Sequence, residues 1–116
     1  MLPIVQEINF LFLNTRMGIE IIDVQTIVRV EALSSYSKLF FSSGKVLVVS
    51  KVLSRIETEI ASQQFIRIHR KHLINCQFIH QYRKRDKAQV ELLNGEFIDV
   101  SKRKRTNLMK YLYAAA

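Results

Sequence analysis

Phe65–Asn75 reads FIRIHRKHLIN, and the rest of the chain arranges itself around it. Phe65, Ile66 and Ile68 are good strand formers, and period-two alternation puts Arg67 and His69 on one face. The strand runs into a basic turn at Arg70-Lys71, and Leu73–Ile79 is apolar again. Just upstream the period changes. Within Ser50–Ser62, Val52, Leu53, Ile56 and Ile60 recur at helical spacing, while Lys51, Arg55, Glu57 and Glu59 face water. Ser50 suits the N-cap of that helix. Downstream, Gln89–Leu93 and Glu96–Val100 flank Asn94-Gly95, the strongest hairpin signal in the chain. Lys84-Arg85-Asp86-Lys87 is a charged turn. Ser101 is placed to cap a last helix over Lys102–Tyr113, with Leu108, Met109 and Leu112 as its buried stripe.

The N-terminal part continues the pattern of short strands. Ile8–Leu13, Ile19–Ile22 and Thr26–Val30 read as strands, with Asp23-Val24-Gln25 as a turn. Ser34-Ser35-Tyr36-Ser37 is a polar break. Lys38–Phe41 and Lys45–Val49 form a hairpin across Ser42-Ser43-Gly44. Phe10, Phe12, Phe40 and Phe41 belong to apolar strands and are assigned to the core; Tyr36 and Tyr82 are the aromatic candidates for exposure. No internal repeat and no composition break marks a second domain. The fold class is mostly β with one or two short helices, in a single domain.

Composition narrows the function. Apolar residues make up 48% of the chain, with three Gly and one Pro, which gives a globular core rather than a flexible linker. No apolar run reaches the ~20 residues of a membrane span. The N-terminus has neither a basic leader nor a small-residue cleavage site. Cys76 is the only cysteine, so no internal disulfide forms and a reducing, cytoplasmic setting is expected; its side chain reads as a small buried group. Charge is uneven. Residues 1–66 hold six Lys/Arg and six Asp/Glu, whereas residues 67–116 hold twelve and four, which accounts for the whole net charge of +8. A basic half beside a neutral half suits a polyanion.

Catalytic chemistry finds no motif: no phosphate-cradling Gly loop, no nucleophile elbow, no paired-histidine metal helix. His69 and His72, if carried on one strand, point to opposite faces, and Cys76 completes no zinc spacing. No metal, no cofactor and no enzymatic activity are expected. Two basic clusters remain. One is Arg67, Arg70 and Lys71. The other is Lys102-Arg103-Lys104-Arg105 at the start of the last helix, where the dipole disfavours each cation by ~0.3–1 kcal/mol. A bound phosphate removes that conflict, because helix N-terminal amides and adjacent cations then face one anion.

These segments resemble the LytTR DNA-binding domain, the output domain of many bacterial response regulators. FIRIHRKHLIN is similar to the family's F-x-R-x-H-x-x-x-x-[VI]-N pattern. Ile27–Tyr36 (IVRVEALSSY), Val52–Ile60 (VLSRIETEI) and Leu92–Lys102 (LLNGEFIDVSK) follow in the family's order and spacing. The resemblance spans Ile8 to Leu112, so residues 1–116 are one LytTR-like domain with a core over about 8–112.

The resemblance implies an elongated arrangement of small antiparallel sheets. It implies duplex DNA read by loops in successive major grooves, in transcriptional control. Its base-contacting positions fall around Tyr36-Ser37-Lys38, at Arg70 and Lys71, and at Lys102-Arg103-Lys104. Arg70 and Arg103 are assigned to base edges, since an Arg fork matches guanine O6 and N7. Lys38, Lys71, Lys102 and Lys104 are assigned to phosphates, and Ser37 to either. Tyr36, Arg67 and His69 are candidates for either DNA contact or loop support, with structural support ranked first for His69. Because positions 37 and 70 vary with target, the operator does not carry over from a relative. The implied partners are double-stranded DNA and a receiver domain not in these residues, with no membrane, and a monomer or weak dimer placing two copies per operator. The alternative is a basic interaction or dimerisation module that meets an acidic protein.

Overall fold

A computed structural model describes residues 9–60, 62 and 64–115. Ile8, Ala61 and Ala116 lie outside them. The strands are β1 (Phe10–Thr15), β2 (Gly18–Asp23), β3 (Ile27–Leu33), β4 (Tyr36–Phe41), β5 (Val46–Val49), β6 (Phe65–His69), β7 (His72–Asn75), β8 (Ile79–Lys84), β9 (Ala88–Leu92) and β10 (Phe97–Asp99). Helix α1 covers Leu53–Ile60 and α2 covers Lys102–Ala115. All strand pairs are antiparallel, in sheets ordered β1-β2, β5-β4-β3-β7-β6 and β10-β9-β8. The fold class is thus mostly β with two helices and several small antiparallel sheets, as expected.

The central strands of the five-stranded sheet pack a core against each face, so β3 buries Val28 and Val30 and β7 buries Leu73 and Ile74. On one face Val30, Leu39 and Leu73 pack with Leu11 and Leu13 of β1 and with Leu53, Ile56 and Ile60 of α1. On the other, Val28, Ile68 and Ile74 pack with Val90, Leu92 and Ile98 of the small sheet and Leu108 of α2. Met109 and Leu112 flank this second core, and Cys76 is buried as expected. Burial pushes the Cys76 thiol up to about 11. A buried cation ties the two sheets together. The Arg29 guanidinium lies 3.7 Å from the Phe40 ring centroid and donates to Glu96 Oε2 at 2.9 Å. That bond holds the Glu96 carboxyl below its usual range.

The internal repeat that the sequence does not announce is plain in the structure. Each half runs hairpin, short 3-10 turn, three-strand meander, helix: residues 10–60, then 65–115. Asp23 and Asn75 close their hairpins alike. Each side-chain oxygen accepts from the amide two residues on, Gln25 at 3.0 Å and Gln77 at 3.1 Å. The meander turns also match. Gly44 and Gly95 both have φ of +91°, and their amides bond Phe41 O and Leu92 O at 2.9 Å. Few identities survive: Gly44 and Val49-Ser50-Lys51 recur as Gly95 and Val100-Ser101-Lys102.

Several local expectations are corrected. Within the apolar stretch Leu73–Ile79 the structure finds the end of β7, a turn over Cys76–Phe78 opened by the Asn75 side chain, and the start of β8. The polar break at 34–37 shrinks to Ser34-Ser35, with Ser34 in the left-handed region at φ 57°. Ser50 is not the N-cap of α1: the helix starts at Leu53, and the Val52 carbonyl accepts from Arg55 and Ile56. Val52 is accordingly exposed rather than part of the buried stripe. Phe10 and Phe12 lie on the outward face of the β1–β2 hairpin, and Tyr82 packs against the second core.

Candidate nucleic-acid interface

Register places the three segments of interest at one end of the five-stranded sheet. Lys38, Glu31, His72 and His69 form a row of cross-strand partners over β4, β3, β7 and β6. Just beyond this row lie the β3–β4 turn at Ser34-Ser35 and the β6–β7 turn at Arg70-Lys71. The turns are joined, since Ala32 N donates to Lys71 O at 2.9 Å. The start of α2 is tied to the same end, where Ser101 N donates to Ile68 O at 2.9 Å.

The β6–β7 turn is braced from beneath. Arg67 Nε donates to His69 O at 2.9 Å, Nη1 to Glu57 Oε1 at 2.8 Å, and Nη2 to Arg70 O. His69 Nδ1 accepts from Lys71 N at 3.1 Å. The Arg70 carbonyl and both backbone groups of Lys71 are therefore occupied, while the Arg70 and Lys71 side chains stand exposed. Arg67 and His69 sit where loop support requires. His69 and His72 do not point to opposite faces. The chain turns between them, and their ring centroids are 5.2 Å apart. Burial lowers the His72 pKa, against the opposing pull of Glu31. Among the described residues no group of three or more His, Cys, Asp or Glu is placed to hold a metal.

Between this turn and α2 lies a recess of about 380 Å³ lined by Arg67, His69, Arg70, Ser101, Arg103 and Lys104. Its lining carries four cationic side chains and no acid. Ser101 occupies the cap position expected of it, and its carbonyl accepts from Lys104 and Arg105. Lys102 and Arg103 are exposed; Lys104 is half-buried. At the first loop Tyr36 is half-exposed, and Lys38 Nζ lies 5.1 Å from the Phe40 ring centroid. Ser37 departs from expectation. It has no exposed surface, and its hydroxyl donates to Lys51 O at 2.6 Å. Its side chain anchors the end of β5 instead of facing a groove.

A family model described as the LytTr DNA-binding domain matches residues 17–113. The chain belongs to the LytTr DNA-binding domain family. Among solved structures, it is similar to the LytTr DNA-binding domain of a putative methyl-accepting/DNA response regulator from Bacillus cereus, with a TM-score of 0.74 at 20% identity over 90% of this chain and 96% of that one. A search among curated proteins returned no match.

Sequence reasoning missed two supports of this LytTr domain. Glu57 on α1 holds Arg67 under the basic turn. Buried Asn75 donates Nδ2 to Ile27 O at 2.9 Å, fastening β7 to β3 and so one loop to another. Glu57 was assigned to solvent because an isolated helix pattern does not show what crosses it. Asn75 sits inside the stretch read only as apolar, although an Asn before an apolar run is a known turn former.

Proposed function

We propose that this LytTr domain binds double-stranded DNA sequence-specifically, through loop side chains in successive major grooves, as the output of a bacterial response regulator. The observation that carries this reading is the convergence of Lys38, Arg70, Lys71, Lys102, Arg103 and Lys104 at one end of one sheet. Arg70 and Arg103 project from braced backbone and suit guanine edges. Lys38, Lys71, Lys102 and Lys104 suit phosphates. With Ser37 buried, Tyr36 and Lys38 are the side chains the first loop offers. Two principal extents of the molecule, 47 and 44 Å, exceed the ~34–36 Å between successive turns of major groove. No helix among the described residues is long and apolar enough to cross a membrane.

Selection of bound sites from a random duplex library tests this reading. Enrichment of a direct-repeat pair of half-sites is expected, with two copies bound per operator and a receiver domain governing their occupancy. Absence of any enriched sequence, together with salt-sensitive capture of an acidic protein, would instead make the basic end a protein-binding face.

A further inference from the structure

The repeat assigns a relative to each loop at the interface. Counted from the matching glycines Gly44 and Gly95, the β3–β4 turn at Ser34-Ser35 corresponds to the β8–β9 turn at Arg85-Asp86. The second turn is the more basic of the two. Arg83-Lys84-Arg85-Asp86-Lys87 holds four cations and one acid, and Lys84, Arg85 and Lys87 are exposed. It also borders the α2 cluster. Val100 N donates to Ala88 O at 2.9 Å, and the next residue, Ser101, is the one bonded to Ile68 O. Asp99 secures the turn to β10: it accepts from Gln89 Nε2 at 2.9 Å and pairs with Lys87 at 3.3 Å. Arg83 is held over the Phe97 ring at 5.0 Å, beside a recess of about 370 Å³ lined by Arg83, Arg85, Asp86, Lys87, Gln89 and Phe97, three cations to one acid.

We propose that the β8–β9 turn is a fourth DNA contact, gripping backbone phosphates of the duplex beyond the segment met by the α2 cluster. The inference rests on the duplex-binding reading above. Lys84 and Arg85 have no partner among the hydrogen bonds and ion pairs of the described residues, so both are available to phosphate. Lys87 is shared with Asp99 and contributes less. Contacts of this kind add affinity and register without reading bases.

The test compares the parent 116-residue chain with a Lys84→Ala/Arg85→Ala variant on two duplexes. One is the minimal selected site; the other is that site lengthened by a helical turn on each side. The parent gains affinity on the longer duplex and the variant loses that gain, roughly eightfold per lost phosphate contact at ~0.1 M salt. Its salt slope on the long duplex falls by about two, while its preference among base pairs and its melting temperature stay unchanged. Equal affinity and slope for variant and parent on the long duplex would overturn the fourth contact and leave the three-loop reading intact. Failure of the parent to bind either duplex would overturn both.

Discussion

The two halves of this domain share a plan and differ in what they present. Residues 10–60 spend theirs on packing. Helix α1 buries Leu53, Ile56 and Ile60, and its first turn carries no cluster of charge. Residues 65–115 begin the equivalent helix with Lys102-Arg103-Lys104-Arg105, against the dipole, and put Arg70-Lys71 where the first half has Arg16-Met17. The hairpins diverge for a chemical reason. Asn75 has a donor and an acceptor, so it can be fully buried, bonding Ile27 O, Gln64 and Gln77 at once. Asp23 has no donor and stays at the surface. One hairpin therefore joins the other half's meander in a five-stranded sheet, and the other remains a separate two-stranded unit. The plan is set by turns and apolar positions; the proposed interface is drawn from side chains that the plan leaves free.

Exchanging the hairpin residues is the strongest way to break this comparison. Asn75→Asp places a carboxylate where no surface is exposed and removes the donor to Ile27 O, so about 3–4 kcal/mol of stability is lost. Asp23→Asn keeps its acceptor at an exposed site and stays within about 0.5 kcal/mol of the parent. Urea denaturation of both variants measures the asymmetry; equal effects would mean that Asn75 does not fix β7 against β3.

The second half's helix start is next. Arg103→Ala loses ~1–3 kcal/mol on the selected site and relaxes preference at one base pair. Lys104→Ala weakens all duplexes alike and lowers the salt slope by about one. Both variants melt at or slightly above the parent, because each removes a cation from a helix end that disfavours it. Titration against selected and scrambled duplexes separates the roles, and an equal loss on both by Arg103→Ala would reassign it to phosphate.

Arg67→Ala removes the brace rather than a contact. It lowers stability by about 1–2 kcal/mol through the lost bonds to Glu57 and the turn carbonyls. DNA affinity falls with it, because Arg70 and Lys71 are no longer held in place. Unchanged affinity in a folded Arg67→Ala protein would show that the turn needs no support.

The smallest effect is on pH dependence. His72 has a folded pKa below its ordinary 6.5, chiefly because burial disfavours its charged form. Above 6.5 it is neutral in both states and its full contribution is present. As pH falls through that value the unfolded chain takes up the proton more readily, and stability declines. In a His72→Gln variant this part of the decline disappears from melts run between pH 7.5 and pH 5, which span the ordinary His range.

Much of this was legible in the residues. FIRIHR, Asn94-Gly95 and the apolar spacing of α1 and α2 name local structure through short-range rules, and those rules held except at the start of α1, where Ser50 and Val52 fall outside the helix. Arg70, Lys71, Lys102 and Arg103 stood out because exposed basic clusters at turns and helix starts have no packing role. What escaped depends on partners distant in sequence. Ser37 looked like a loop residue, yet Lys51 O, fourteen positions away, takes its hydroxyl inside. Phe10 and Phe12 looked like core, but a two-stranded hairpin has only one face to bury, and Leu11 and Leu13 occupy it. The repeat escaped because turns and alternation preserve it with few shared residues.

The central claim, that the basic end meets the phosphate backbone of duplex DNA, is tested most directly by the parent's affinity for a selected duplex as a function of salt. With about five phosphates neutralised by the three-loop cluster, log K falls against log salt with a slope of about −4 to −5. A slope near zero, with binding intact, would contradict it.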